Sequence, residues 1–132
     1  MSNYYKSPLV GHEISCVMTG LNPTFFEKNA LIERTIKEAL KKDNFNVLDF
    51  LSFNFQPQGF TALVLLSESH LAIHTYPEHN AIYFNMYSCR GPRDAKKTFY
   101  EIKKKLNPEK IIFLKDNQIP LAILSELSEA IH

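Results

Sequence analysis

The sequence has no excess of charge of either sign and no long apolar run, and both absences narrow its function. Lysine and arginine number 15 against 14 aspartates and glutamates, which gives a formal net charge of +1 at pH 7. A balance this close to neutral gives no indication of a nucleic-acid or anionic-membrane partner. No apolar run approaches the roughly 20 residues of a membrane-spanning helix. The N-terminal stretch MSNYYKSPLVGHE lacks the apolar segment of a secretory signal.

Cysteine is also scarce, because Cys16 and Cys89 are the two in the sequence. Neither belongs to a CxxC pair, which argues against a zinc knuckle or a thioredoxin-type motif. Together with the missing signal, this favours a cytoplasmic protein whose thiols stay reduced. Internal repeats and low-complexity tracts are missing from the sequence as well. With 132 residues, 45% of them hydrophobic, the chain suits a single domain over residues 1–132.

Apolar periodicity along the chain predicts a strand, a helix, several strands, a second helix and a final strand. Asn29 is the expected N-cap of the first helix. Residues 1–10 are expected to form a loose tail, and residues 119–132 a short closing segment that could be helical. Strands are expected at residues 13–20, 45–55, 60–67, 71–76, 81–89 and 110–115, and helices at 29–41 and 95–106.

This order of elements predicts an α+β two-layer sandwich, in which the helices pack on one face of a largely antiparallel sheet. The strand at 60–67 is apolar on both faces and is therefore expected near the centre of the sheet. The sheet face opposite the helices then needs a cover or a role in binding. A dimer partner could supply either.

Residues 67–78, SESHLAIHTYPE, place many reactive side chains after the apolar segment TALVLL. A metal site is one interpretation, because imidazole, carboxylate and thiolate groups all bind zinc. His70 and His74 are an even number of residues apart and so share one face of a strand. The spacing matches no familiar ligand pattern, however, and no HExxH motif is present. The candidate ligands are His70, His74, His79, Glu78 and Cys89.

A nucleophile activated by a histidine is a second interpretation, with Ser67, Ser69 or Cys89 as the attacking group. The sequence has no GxSxG elbow, and SCRGP around Cys89 matches no protease signature. A hydrogen-bonded corner of the core is a third interpretation. It would suit one isolated histidine better than it suits this long cluster.

The stretch SESHLAIHTYPE, preceded by QPQGFTALVLL and followed by Cys89, resembles the prokaryotic S-adenosylmethionine decarboxylases, a family of small pyruvoyl enzymes. The resemblance extends over residues 11–115 and is strongest over residues 55–91. The early segment GHEISCVMTGLNP also resembles the start of this family. The end of the chain carries no motif of the family.

The resemblance implies that the chain cuts itself between Glu68 and Ser69 into chains of residues 1–68 and 69–132. The Ser69 hydroxyl would attack the Glu68 carbonyl carbon and turn the amide into an ester. A base would then remove the Cα proton of residue 69, and hydrolysis of the dehydroalanine would leave a pyruvoyl group. His74 matches the family's processing residue, and a neutral imidazole suits proton abstraction near neutral pH.

The pyruvoyl group derived from Ser69 is the implied cofactor, so the resemblance implies no external cofactor and no metal. Its ketone would form a Schiff base with the substrate amine and accept the electrons released when carbon dioxide leaves. Cys89 matches the family's proton donor, and a thiol with a reference pKa of about 8.5 is mostly protonated at neutral pH. Cys16, inside a predicted strand, is expected to be a small core residue.

The implied substrate is S-adenosylmethionine, which presents an adenine, a ribose and a sulfonium cation. The resemblance assigns Phe55 and Tyr76 to stacking on it, and Glu78 to the ribose hydroxyls. The position of Tyr76 often holds tryptophan in the family. Thr61 stands where the family has a serine that assists processing, and the extra methyl predicts slower self-cleavage. The family forms dimers of processed protomers, so a homodimer is expected.

Two other functions stay open. A pyruvoyl-dependent arginine or ornithine decarboxylase of the same family would keep the chemistry and change the substrate pocket. A non-catalytic family member would keep only the fold. The presence of Ser69, His74 and Cys89 together argues against this last function.

Overall fold

One antiparallel sheet organises the fold in this computed structural model, which describes residues 8–91 and 93–122. Within these residues the sheet has six strands in the order β2-β3-β4-β5-β1-β6, and every neighbouring pair is antiparallel. The strands are β1 (Val10–Thr19), β2 (Val47–Asn54), β3 (Phe60–Leu66), β4 (Ser69–Tyr76), β5 (Ala81–Ser88) and β6 (Lys110–Pro120).

The helices are α1 (Thr24–Glu27), α2 (Asn29–Lys42) and α3 (Lys96–Leu106), and a 3₁₀ turn spans Pro77–His79. The two longer helices, α2 and α3, bury their apolar stripes against one face of this sheet. Ile36 of α2 and Ile102 of α3 belong to the same buried cluster as Ile73 of β4 and Phe84 of β5. Alternate residues of β3, β4 and β5 are buried, as expected when only one sheet face is covered. The predicted α+β two-layer sandwich is confirmed.

The first strand begins earlier than the sequence suggested. Val10, placed in the predicted tail, begins β1 and is buried. It pairs with Pro120 of β6, because β6 continues along β1 beyond its predicted end at residue 115. The predicted tail therefore ends earlier, and residues 1–7 lie outside the described part of the chain. The predicted closing segment is strand at residues 119–120, and its residues 123–132 lie outside the described part too.

The prediction that Asn29 caps α2 is wrong. Asn29 is the first residue of the helix, Lys28 holds the N-cap position, and no side chain caps this end. The Asn29 side-chain amide instead donates a hydrogen bond to the side-chain carbonyl of Asn54, at the end of β2. A tertiary contact thus holds the Asn29 side chain, which makes no local cap.

The sheet face opposite the helices is uncovered and carries large apolar side chains. β3 lies between two strands, as its apolar sequence predicted, but only one of its faces is buried. Leu63 and Leu65 are 48% and 55% exposed, and Leu51 and Phe53 of the neighbouring β2 are both 61% exposed. We call these four residues the open-face patch. Among the described residues, no helix is long and apolar enough to cross a membrane.

Candidate active site

The Glu68–Ser69 bond lies at the end of a tight hairpin. Ser67 and Glu68 form the two-residue turn between β3 and β4, and Leu66 pairs directly with Ser69. Asn46 holds the turn from the side, because its side-chain amide donates to Ser67 Oγ at 2.9 Å. The Cys89 thiol donates to the Glu68 carbonyl oxygen at 3.0 Å. A proton donor therefore already contacts the carbonyl that the predicted self-cleavage would attack.

The Ser69 hydroxyl belongs to a short chain of hydrogen bonds. Ser69 is 8% exposed, and its Oγ donates to Ser88 Oγ at 2.8 Å. Ser88, the last residue of β5, is fully buried and donates in turn to the Asp94 carboxylate. Asp94 also accepts from the backbone N–H groups of Arg90 at 2.8 Å and Ala95 at 2.9 Å. This chain of hydrogen bonds thus joins the hairpin, the end of β5 and the segment before α3.

Arg90 pairs with the Asp94 carboxylate at the end of this chain of hydrogen bonds. Its Nη2 donates to Asp94 at 2.8 Å and to Asp43 at 3.0 Å, and its Nη1 donates to the Asp43 carbonyl oxygen at 2.8 Å. The guanidinium carbon lies 3.5 Å from the centre of the Phe45 ring, where a cation–π attraction adds to the ion pairs. Burial alone would raise the pKa of Asp94, but the hydrogen bonds from Arg90, Ser88 and two backbone amides outweigh it and lower that pKa.

A buried histidine of β1 holds the same segment from the other side. His12 is 1% exposed, and its Nδ1 lies 2.5 Å from the Asp94 carbonyl oxygen. Its Nε2 contacts the Asp116 carboxylate, which also pairs with Lys96 at 3.3 Å. Burial would raise the pKa of Asp116, yet the His12 and Lys96 contacts lower it overall. His12 therefore links β1, β6 and the segment before α3.

The predicted substrate residues come together in a separate cleft at the other end of β4. The cleft has a volume of about 330 Å³, and its walls include Phe55, Thr61, His74, Tyr76 and Glu78. Thr61 Oγ1 lies 3.0 Å from His74 Nδ1 across the β3–β4 pair. The Phe55 and Tyr76 side chains are 50% and 44% exposed, so their rings are accessible to a ligand.

The structure does not bring Ser69 and His74 together within one chain. They are five residues apart on β4, a separation of about 16 Å at the usual rise per strand residue. An odd separation also places their side chains on opposite faces of the sheet. The sequence-predicted residues therefore form two groups: Glu68, Ser69 and Cys89 at the hairpin end, and Phe55, Thr61, His74, Tyr76 and Glu78 at the cleft.

The remaining predicted candidates occupy simpler positions. Cys16 is a buried core residue, as expected, and burial raises the pKa of its thiol to about 11. His70 Nε2 lies 3.2 Å from the Asn85 side-chain oxygen on the open face of the sheet. The residues that the structure describes contain no cluster of three or more metal-binding side chains.

Sequence reasoning missed the residues that are linked to Ser69 by successive contacts, namely Ser88, Asp94, Arg90 and His12. An aspartate just before a predicted helix was the one visible signal, because acidic residues favour helix N-termini. Nothing in the local sequence links Ser88 to Ser69, since that contact depends on the pairing of β4 with β5.

Three kinds of comparison relate this chain to known proteins. The family model for S-adenosylmethionine decarboxylase matches residues 12–116. The S-adenosylmethionine decarboxylase proenzyme of Pyrobaculum neutrophilum is 34% identical over 112 residues, which cover 84% of this chain and 90% of that protein. The proenzyme of Aquifex aeolicus is 32% identical over 102 residues, or 77% of this chain and 76% of that protein.

Two solved structures share the fold. The crystal structure of the Aquifex aeolicus adenosylmethionine decarboxylase matches with a TM-score of 0.75 at 27% identity, over 89% of this chain and 95% of that chain. The Trypanosoma brucei AdoMetDC-delta26 monomer matches with a TM-score of 0.54 at 15% identity, over 76% of this chain and 43% of that chain. The second likeness concerns the fold alone.

Proposed function

Because the chain belongs to the S-adenosylmethionine decarboxylase family, we propose that it decarboxylates S-adenosylmethionine to the aminopropyl donor for spermidine biosynthesis. The observation that carries this proposal is the hairpin-end group, in which a buried serine hydroxyl follows a carbonyl that already accepts a hydrogen bond from Cys89. A cytoplasmic location, where Cys16 and Cys89 stay reduced and form no disulfide, is part of the proposal.

We propose that the chain first cuts itself at Glu68–Ser69 and that Ser69 becomes a pyruvoyl group. The residues present fit this group, because the scissile bond joins a two-residue turn to β4 and both products would keep their strand pairing. A pyruvoyl ketone supplies an electron sink for the loss of carbon dioxide from an α-amino acid. Cys89, next to this position, is the proposed donor of the proton that the substrate carbon then takes up.

The cleft at the other end of β4 is the proposed binding site for the nucleoside part of the substrate. Phe55 and Tyr76 offer exposed aromatic faces to an adenine and to a sulfonium cation. Gln58 Nε2 lies 3.4 Å from Glu78 Oε2, and this carboxylate can accept hydrogen bonds from ribose hydroxyls. His74, paired with Thr61, is the proposed base for the Cα proton of residue 69.

The separation of the two groups supports a homodimer in which each active site uses both copies. Within one chain His74 is about 16 Å from Ser69 along the strand, too far for direct proton transfer. The open-face patch gives a second copy an apolar surface to cover. We therefore propose that the cleft of one protomer meets the hairpin end of its partner.

Mass spectrometry of the purified chain tests self-cleavage. We expect two chains, residues 1–68 and residues 69–132 with a pyruvoyl group in place of Ser69. The variant Ser69→Ala should stay a single chain and should release no carbon dioxide from S-adenosylmethionine. An intact wild-type chain after long incubation would favour a non-catalytic family member, and release of carbon dioxide from arginine or ornithine alone would overturn the proposed substrate.

Mixed dimers test the shared site. Ser69→Ala and His74→Ala chains with different affinity tags are produced together, and dimers that carry both tags are isolated. The His74→Ala chain should be cut in mixed dimers, because the intact histidine of its partner serves it, and should stay largely uncut in its own homodimer. Equal cleavage in both dimers would argue against a shared site.

A further inference from the structure

We propose that Ser88 accepts the proton of the Ser69 hydroxyl during ester formation, and that Asp94 orients Ser88 and takes up the proton that Ser88 passes on. The inference rests on the self-cleavage proposed above and adds two residues to it. Its basis is the chain of contacts from Ser69 Oγ to Ser88 Oγ at 2.8 Å and from Ser88 Oγ to the Asp94 carboxylate.

The direction of these hydrogen bonds follows from the number of protons available. An ionised carboxylate can only accept, so the single proton of Ser88 is engaged with Asp94. Ser88 Oγ can then act toward Ser69 only as an acceptor. The Ser69 proton therefore points at Ser88 rather than at the Glu68 carbonyl, and the lone pairs of Ser69 Oγ stay free for attack.

The surroundings keep Asp94 charged and in place. Its side chain is 8% exposed and forms an ion pair with Arg90, and Arg90 forms a second ion pair with Asp43. The Asp94 backbone carbonyl contacts His12. Because both ends of Asp94 are fixed, Ser88 has one orientation available, and a preorganised acceptor costs little reorganisation during reaction.

The proposed step balances in atoms and protons. Ser69 Oγ forms a bond to the Glu68 carbonyl carbon, and the bond from that carbon to the nitrogen of residue 69 breaks. The Ser69 proton moves to Ser88 while the Ser88 proton moves to Asp94, which returns one proton to water. The departing nitrogen takes up one proton from water and becomes an amine. The product is an ester isomer of the starting chain, with Cys89 as donor to the carbonyl oxygen.

This assignment separates two steps that use different residues. Ser88 and Asp94 would act in ester formation, within one protomer, because Ser88 contacts Ser69 and Asp94 contacts Ser88. His74 would act afterwards, on the Cα proton of residue 69. The two steps can be distinguished because hydroxylamine cuts an ester much faster than an amide.

The test is the rate of self-cleavage of freshly refolded chains, followed on denaturing gels with and without hydroxylamine. Ser88→Ala should slow cleavage by about 10²-fold, the lower range for loss of one acid–base group. Hydroxylamine should not restore cutting, because no ester accumulates. Ser88→Thr keeps the hydroxyl and should cleave within a few-fold of wild type, whereas His74→Ala should accumulate the ester and be cut by hydroxylamine.

Two further variants separate proton transfer from general damage to the fold. Asp94→Asn should slow cleavage, and adding it to Ser88→Ala should cause no additional slowing, because Asp94 acts through Ser88. Thr35→Val is the matched control, since it removes another buried hydroxyl, one that bonds the Leu31 carbonyl in α2. This control should cleave at the wild-type rate.

The outcomes separate this inference from the proposed function. If wild-type chains stay uncut, the proposed self-cleavage itself fails. If wild type cuts and Ser88→Ala cuts at the same rate, the proposed role of Ser88 is wrong while self-cleavage stands. Rapid cutting of Ser88→Ala by hydroxylamine would also overturn the inference, because it would place Ser88 after ester formation.

Discussion

Replacing Leu63 with threonine should weaken the proposed dimer without unfolding the protomer. Leu63 lies in the open-face patch, between Leu51 of β2 and Ala72 of β4, and is 48% exposed in the protomer. Threonine is β-branched and has a high strand propensity, but it lacks most of the apolar surface of leucine. The protomer should change little, because substitutions at exposed positions usually alter stability by about 0.5 kcal/mol or less.

The size of the effect follows from the apolar area that a partner would cover. Complete burial of a leucine side chain contributes about 1.5–3 kcal/mol, and about half of this side chain is already covered by the protomer. The part left for an interface is therefore about 1 kcal/mol for each copy. A symmetric dimer contains the substitution twice, and threonine retains part of the contact. We expect a loss of about 1–2 kcal/mol, or about 5- to 30-fold in the dimer Kd.

Sedimentation equilibrium over a range of protein concentrations measures this Kd, and urea unfolding checks the protomer. Tyr100→Gln is the matched control, because Tyr100 is 58% exposed on α3, on the other side of the sheet. The control should leave the Kd unchanged. An unchanged Kd for Leu63→Thr, or an equal rise for Tyr100→Gln, would show that copies do not meet through the open-face patch.

Three other predictions concern the protomer. Gly11→Ala should destabilise the fold by about 1–3 kcal/mol in urea unfolding, because the new Cβ would lie 2.2 Å from Tyr87 Oη. Adding Tyr87→Ala should restore much of the lost stability, and no recovery would refute the clash. In the uncut Ser69→Ala background, ionised Asp94 should contribute fully to the free energy of unfolding above the ordinary carboxyl pKa of 3.8. This contribution should be lost as the pH falls through the lowered pKa of Asp94 in the folded state. Asp94→Asn should therefore flatten the fall in unfolding free energy below about pH 4, and an unchanged slope would count against the lowered pKa. Iodoacetamide at neutral pH should modify Cys89 before Cys16, whose pKa is raised to about 11 by burial, as peptide mass mapping would show; equal rates would contradict this.

The strands and helices were largely predictable because their apolar periodicity is strong. The stripe of α3 ends at Ile102 and Leu106, and both are buried as the i, i+4 spacing required. Alternation in β5 likewise separates Phe84, which the structure places in the core, from Tyr83, which lies on the open face. The extension of β6 to Pro120 was not predictable, because its exposed residues carry little periodic signal and its pairing with β1 sets its length.

The candidate site was predictable only in part. The residue types in SESHLAIHTYPE left several kinds of site open, and the resemblance to a family selected one of them. The structure places Ser69, His74 and Tyr76 on β4. Their relative placement became clear only once both residues were seen on one strand. Because they are an odd number of residues apart, Ser69 and His74 lie on opposite faces of the sheet. The contact of Ser88 with Ser69 required the register between β4 and β5, which no single segment encodes.

The strand order gives the cut protein a property that the uncut chain lacks. Cleavage at Glu68–Ser69 would leave β1, β2 and β3 on one chain and β4, β5 and β6 on the other. In the sheet, β1 of the first chain lies between β5 and β6 of the second. The two products would therefore be interlaced through three strand boundaries and could separate only if the sheet came apart. An uncut protomer can refold as one molecule, whereas refolding of the cut pair needs two chains to meet and would therefore depend on concentration.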